Sequence, residues 1–255
     1  MSAPLRQLLL VARYTILRLL REPASTIVTV GLPLVLIPVM GTVFTKIGSW
    51  DSYMDGAVNP TAFFAIGIVV MFQLFGGRFS MEATRASLLS ERRWRINAAP
   101  CEPGIYAIGI LTAGTLVDLL QGLLLVAFTY LALDVHWGNL GVVVLVLLGT
   151  SLLAQLVHVA IVLLVRSYGA AVTIAWMFAW GSAALGGLII PLPSDVPVWR
   201  FMLSYGTPYS LAQTAVVTSV RGGAAPEVAL CVGLLLALCA VFASLVFVLG
   251  RRRLA

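Results

Sequence analysis

The chain alternates between long apolar runs and short polar breaks. Six runs, at 24–45, 61–80, 105–131, 140–164, 168–190 and 227–249, are each 20 residues or longer. About 20 apolar residues carry an α-helix across a hydrocarbon core of ~30 Å. The pattern predicts an all-α membrane protein with six transmembrane helices. Ahead of the first run lies a different periodicity. With residues 3–22 placed at 100° per residue, Arg6, Arg13, Arg18 and Arg21 gather on one side with Gln7 and Glu22 near them. Leu8, Leu9, Ala12, Ile16, Leu19 and Leu20 gather on the other. This predicts an amphipathic interfacial helix lying in the membrane surface, its arginines among lipid phosphates, ended by Pro23.

The breaks are as informative as the runs. Pro33 and Pro38 inside the first run predict a kink. The polar stretch 46–60, with Trp50 and Tyr53, reads as an external loop with interfacial aromatics. Between the second and third runs stands the most charged part of the chain: Arg78, Glu82, Arg85, Glu91, Arg92, Arg93, Arg95 and Glu102, closed by Pro100 and Pro103. Asp134–Asn139 and Arg166-Ser167 are short turns. Residues 191–226 are too polar and too rich in proline to span, yet hold apolar runs at 198–203 and 209–217. One or two short helices dipping into the outer interface, an external re-entrant segment before the last helix, are expected there.

Composition agrees with lipid as the main solvent. Of 255 residues, 60% are apolar and 10% charged, where a soluble domain carries about 25% charge; the mean hydropathy is +1.03. The net charge of +6 does not point to nucleic acid. Fifteen of the sixteen basic residues are Arg, the exception being Lys46, and they sit between the apolar runs rather than in a groove-binding patch. With both termini inside and six alternating spans, the inner side holds Arg6, Arg13, Arg18, Arg21, Arg78, Arg85, Arg92, Arg93, Arg95, Arg166 and Arg251–Arg253, thirteen in all. The outer side holds Lys46, Arg200 and Arg221, three in all. Such asymmetry is the positive-inside signature, and an odd number of spans would break it. The N-terminus is not expected to be a cleavable signal, because arginines interrupt its apolar stretch. Cys101, Cys231 and Cys239 show no metal or redox spacing and read as small buried hydrophobes. A composition rich in Ala, Gly and Arg hints at a bacterial source, and the expected location is the plasma membrane.

Catalytic chemistry is not suggested. There is no GxxxxGK[ST], and Lys46 has no glycine loop before it, so no phosphate cradle is expected. There is no HExxH, His136 and His158 lie on different segments, and no paired carboxylates share a span. Neither catalytic nor metal-ligating residues are assigned.

Polar residues inside the runs are the exception. An aspartate at a helix centre costs roughly 2.5–3.5 kcal/mol on insertion, and Asp118 sits near the middle of the third run. Gly114, Thr115, Asp118, Gln121 and Gly122 share one face, which must point into protein or a wet cavity. Ser151, Gln155 and His158 line a face of the fourth run, and Gln73 interrupts the second. Gln73, Thr115, Asp118, Gln121, Gln155 and His158 read either as a substrate path, with Asp118 proton-sensitive, or as interhelical hydrogen bonds; for Gln73 and His158 the structural role is favoured. Trp176 and Trp180 read as packing aromatics, and Ser182, Ala183, Gly186 and Gly187 as a close helix contact.

Two stretches carry a resemblance. Leu88-Leu89-Ser90-Glu91-Arg92-Arg93-Trp94-Arg95-Ile96-Asn97-Ala98-Ala99-Pro100 resembles the cytoplasmic E-R-E-x-G-T-x-x-x-L-x-x-x-P region of type-2 ABC exporter permeases, with Arg93 where an acid is common and without the Gly-Thr. Pro191-Leu192-Pro193, Val198–Phe201 and Gly206-Thr207-Pro208-Tyr209-Ser210-Leu211 resemble that family's P-x-x-x-L-P-x-x-L … N-P-x-x-Y external stretch, with Thr207 where Asn is common. The resemblance spans essentially the whole chain as one transmembrane domain.

It implies a coupling region at 86–103, in which Glu91, Arg92, Arg93, Trp94, Arg95 and Ile96 engage an ATPase subunit. Charges there would give orientation and apolar residues grip. It further implies two ATPase copies using ATP and Mg2+, no cofactor bound by this chain, a second permease, identical or paralogous, and alternating access at their interface. Short external loops and apolar spans favour an amphipathic, lipid-like or drug-like substrate moved out of the cell, with polysaccharide or glycolipid export as a rival within the family. Outside it, a proton- or ion-coupled secondary transporter using Asp118 is the alternative, although no internal repeat is visible. An intramembrane enzyme lacks a catalytic constellation.

Overall fold

A computed structural model describes residues 3–21, 27–47, 59–90, 94, 103–189 and 192–254, and the described residues form an almost wholly helical bundle. In chain order the elements are α1 (Ala3–Leu20), a π-helical turn (Ile27–Gly31) that runs into α2 (Leu32–Ile47), α3 (Pro60–Gly76), α4 (Arg78–Leu88), α5 (Pro103–Leu133), α6 (Leu140–Leu164), α7 (Tyr168–Leu185), α8 (Pro197–Ser204), α9 (Pro208–Val220) and α10 (Ala225–Leu254).

Among the described residues, five helical stretches are long and apolar enough to cross a membrane: Pro60–Leu88, Gly104–Leu133, Leu140–Leu164, Tyr168–Leu185 and Ala225–Arg253. They coincide with the second to sixth predicted runs. The first run forms a shorter apolar helix, Ile27–Val43, begun by the π turn and containing Pro38. Pro38 has no N–H to give the preceding turn, and four residues further on the Thr42 hydroxyl donates to the carbonyls of Pro38 and Val39, both at 2.9 Å.

Helix ends follow from local chemistry. Asn59 caps α3, its side chain accepting from Thr61 N–H at 3.0 Å, with Pro60 in the first turn, where a missing N–H costs nothing. Asn139 caps α6 by accepting from Gly141 and Val142 N–H. Ser167 caps α7 and Thr207 caps α9. The Thr207 hydroxyl accepts from Ser210 N–H at 3.0 Å and lies 3.1 Å from the Ser182 carbonyl of α7, to which it donates. The threonine thus performs the capping role open to the asparagine of the family pattern. The α5–α6 turn is less exposed than its polar residues suggest. Trp137 folds back into the core and donates its indole N–H to Thr129 Oγ1 at 3.0 Å.

Helices α3 and α6 form the centre. α3 packs on α2, α5, α6, α7 and α9; α6 packs on α3, α4, α5, α7, α9 and α10. Residues 191–226 supply two short helices, as expected, and the second is buried: Tyr209, Ser210, Leu211, Ala212, Gln213, Ala215 and Val216 of α9 insert among α3, α6, α7 and α10. The amphipathic helix α1 lies along α5, with Ala12 and Leu19 buried and Leu5, Leu9, Leu10 and Leu17 left exposed. Cys231 and Cys239 are buried on α10; Cys101 lies outside the described residues.

Candidate functional site

Two regions concern function: a polar joint at the bundle centre, and the base of α4 from which the charged linker departs. The joint begins at Gly77, where α3 ends and α4 starts. Gly77 offers α4 no side-chain cap, so N–H groups of its first turn lack intrahelical partners. One is satisfied from another helix: Ser80 N–H donates to Gln155 Oε1 of α6 at 3.3 Å. The Ser80 hydroxyl donates to the Ile110 carbonyl of α5 at 3.4 Å. One turn up, Gln73 Nε2 donates to the Asp118 carbonyl of α5 at 3.0 Å, and Ser151 of α6 donates its hydroxyl to Gln73 Oε1. The Asp118 carboxylate faces Ser151 and Gln155.

Glycine makes this closeness possible. A Cβ on Gly76 would lie 2.0 Å from Asp118 Oδ1, one on Gly114 2.4 Å from Ser80 Oγ, and one on Gly122 1.8 Å from Gln73 Nε2. A Cβ on Gly77 would lie 2.2 Å from the Ala154 carbonyl oxygen. Small residues let helix backbones approach where lipid supplies no hydrophobic drive between helices.

Four of the six residues predicted from polarity thus come together: Gln73, Asp118 and Gln155 in the joint, and Thr115 buried one turn from Asp118 on α5. Gln121 follows on the same face, partly exposed. Thr115 Oγ1, Asp118 Oδ2, Gln121 Oε1 and Gln155 Nε2 have no hydrogen-bond partner among the described residues. His158 sits beside the joint and looks toward α7. Its Nδ1 lies 2.8 Å from the Ala154 carbonyl, which can only accept, so the proton is on Nδ1; its ring meets Phe178 edge-on at 6.5 Å. It lines a cavity of about 60 Å3 with Phe72, Phe75, Trp176 and Trp180, and the tryptophans contact Phe75 at 5.0 and 5.9 Å. Sequence reasoning missed Ser80, Gly76 and Gly77. The Gly-Gly pair inside an apolar run, three residues before a serine, was the available signal.

The base of α4 is tied to two neighbouring helices, and an ion pair within α4 braces its first turns. Arg78 Nε donates to Glu82 Oε1 at 2.7 Å. The Arg85 guanidinium stacks 3.8 Å over the Tyr168 ring at the start of α7. Tyr106 of α5 donates to Ser87 Oγ at 3.1 Å. Beyond Leu88 the chain turns, with Ser90 Oγ donating to the Ala86 carbonyl. Of the predicted coupling residues, Trp94 is helical and 65% exposed. Glu91, Arg92, Arg93, Arg95 and Ile96 lie outside the described residues.

No curated protein and no solved structure matches this chain. A family model does: with five apolar helices of membrane-crossing length among the described residues and a match to the ABC-2 type transporter domain over residues 6–220, the chain belongs to that family and is an integral membrane permease component of an ABC transporter, which implies an ATPase partner.

Proposed function

We propose that the chain exports an amphipathic, lipid-like or drug-like substrate from a bacterial cell, as one of two permeases, identical or paralogous, driven by two ATPase copies that use ATP and Mg2+. The observation that carries this reading is the family match over residues 6–220, joined to a charged linker that leaves a braced helix base. Six spans and cytoplasmic termini are part of the proposal. The stretch Ile27–Ile47 is helical over 21 residues, about 30 Å at 1.5 Å per residue, and six spans give the thirteen-to-three asymmetry of basic residues. α9, at 13 residues, reaches only about 20 Å and is buried among four helices, which supports a re-entrant element.

Coupling runs through Glu91–Ile96, seated on the ATPase. The ties of Arg85 to Tyr168 and of Ser87 to Tyr106 make α4 a stiff lever, and its first turn hangs on Gln155 across the Gly77 break. Displacement of the linker then reaches α5 and α6 through Ser80, Gln155, Gln73 and Asp118. On this reading the polar cluster transmits movement, and the glycine contacts leave no room for a substrate at Gln73 and Asp118.

The test is co-purification of an ATPase with the tagged chain from gently solubilised membranes, with and without Trp94→Asp and Ile96→Asp. Expected are a bound ATPase, its loss in the double variant, and unchanged folding. Failure to recover a nucleotide-binding partner in several mild detergents would overturn the reading. Asp118→Asn separates the two roles of the cluster: as a joint it keeps transport within about twofold, since the amide preserves shape and hydrogen bonding. Abolished transport with the ATPase still bound would instead place Asp118 on the path of substrate or proton.

A further inference from the structure

A groove of about 570 Å3 opens on the side of the bundle at the C-terminal end of α10. Its floor is α6, at Leu156, Val159 and Leu163. One wall is the start of α5, and the other is the last turns of α10, at Val246, Phe247 and Arg251. It exists because α5 and α10 both pack on α6 but make little contact with each other. The volume lies in the range that holds small organic ligands. Apart from Thr84 the lining is apolar up to its mouth, where Arg251 stands; none of the described lining residues is acidic.

Position along the helix gives the groove its chemistry. From Val228 to Gly250, α10 offers 23 residues with no charge, about 35 Å of helix, enough to fill a hydrocarbon core of ~30 Å. Arg251, Arg252 and Arg253 then fall at headgroup level, all exposed. Arg253 is used by the protein, its Nη2 donating to the Leu164 carbonyl at the end of α6. Arg251 turns back toward the groove, its guanidinium 5.7 Å from the Phe247 ring. An apolar slot ending in a guanidinium matches a molecule with an acyl chain and a negative head. At two glycines in the lining, Gly104 and Gly250, no atom of another described part of the chain lies within 4 Å of the place a Cβ would occupy, so among the described residues nothing closes the slot there.

We propose that this groove holds one anionic phospholipid, its acyl chain against Leu156, Val159 and Phe247 and its phosphate on Arg251. Basic clefts between helices at the membrane surface select anionic headgroups in this way. The proposal does not depend on what the protein transports.

The test uses the full chain, delipidated in detergent and titrated with phosphatidylglycerol or phosphatidylcholine, with bound lipid counted by native mass spectrometry. One tightly held phosphatidylglycerol is expected, preferred roughly tenfold over phosphatidylcholine, the worth of one charge-assisted contact. Arg251→Gln should abolish the preference while Arg252→Gln, outside the groove lining, keeps it. Gly250→Leu fills the slot without striking the fold and should remove the tight site for both lipids. Equal retention of the two lipids by the unaltered chain would overturn the proposal. So would equal loss of preference in Arg251→Gln and Arg252→Gln, which is a diffuse charge effect, or a preference surviving Gly250→Leu, which places the lipid elsewhere.

Discussion

Two stretches of equal length, the second clearly the more apolar, meet opposite fates. Over their most apolar 18 residues, 83% of positions on Pro60–Leu88 are buried, against 11% on Ala225–Arg253. In water the more apolar helix would be the more buried. Here the stretch with Gln73, Ser80, Thr84 and the close contacts at Gly76 and Gly77 is at the centre, and the nearly pure Leu-Ala-Val helix is at the rim. Lipid is as good a solvent for leucine as protein is, so burial is decided by small residues that admit a neighbour and polar residues that need one. Hydropathy reports that a helix spans; its exceptions report which side faces protein.

The same substitution should therefore have opposite consequences on the two stretches, and this is where the largest effect is expected. In Gly77→Ala the new methyl meets a main-chain oxygen of α6 at 2.2 Å, which cannot step aside as a side-chain tip could. About 3 kcal/mol of destabilisation is expected, with weakened capping of α4 by Gln155. Gly233→Ala on α10 meets nothing within 4 Å and replaces a poor helix former, so stability should be unchanged or raised by up to ~1 kcal/mol. Thermal unfolding of the two variants in one detergent checks the pair. Equal destabilisation would mean that the burial contrast does not govern packing.

A second pair asks whether contact or backbone strain dominates in the loops. Gly138 and Gly222 share a φ of +65°, a conformation that alanine adopts at a cost of roughly 1–3 kcal/mol. Gly222 has open space where a Cβ would go, whereas at Gly138 a Cβ would lie 2.8 Å from the main chain of Ser219 and Val220 at the end of α9. Gly222→Ala should show the strain alone, and Gly138→Ala the strain plus displacement of α9, about 2 kcal/mol more. If both lose the same, the α5–α6 turn does not pack on α9 as described.

Much of this was legible in the sequence. The fourth run, 140–164, became Leu140–Leu164, because Asn139 fixes its start and Arg166 lies just beyond its end. The shared faces of Asp118 and Gln155 followed from helical spacing. What could not be read was which face meets which. The docking of Gln155 on the first turn of α4 depends on a break at Gly77, and no periodicity marks a break inside an apolar run. The burial of Trp137 was hidden for a related reason: a tryptophan beside Asp134 and His136 looks interfacial until Thr129, eight residues earlier on α5, supplies its partner. The burial of α9 escaped because its composition is moderately polar, and its hydroxyls find partners such as the Met202 carbonyl that accepts from Ser210.

The smallest expected effect is also the sharpest on mechanism. Gln73→Leu removes a donor to the Asp118 carbonyl and an acceptor for Ser151. Interhelical hydrogen bonds inside membranes average about 0.6 kcal/mol and reach about 1.7, so the loss should be about 1 kcal/mol, because the Ser151 hydroxyl can turn to a carbonyl of its own helix as Thr150 already does at 2.7 Å. Ser244→Ala on α10 removes only a bond to the Ala240 carbonyl one turn back, and should cost nothing measurable. Stability alone separates the two stretches weakly here; coupling separates them strongly. A joint that carries movement from α4 into α5 must lose ATP-driven transport in Gln73→Leu by more than its small loss of stability explains, with the ATPase still bound. Transport that falls only in proportion to folded protein would leave the cluster a fastening between helices, and the route of force would then lie along the outer contacts of α4 with Tyr168 and Tyr106.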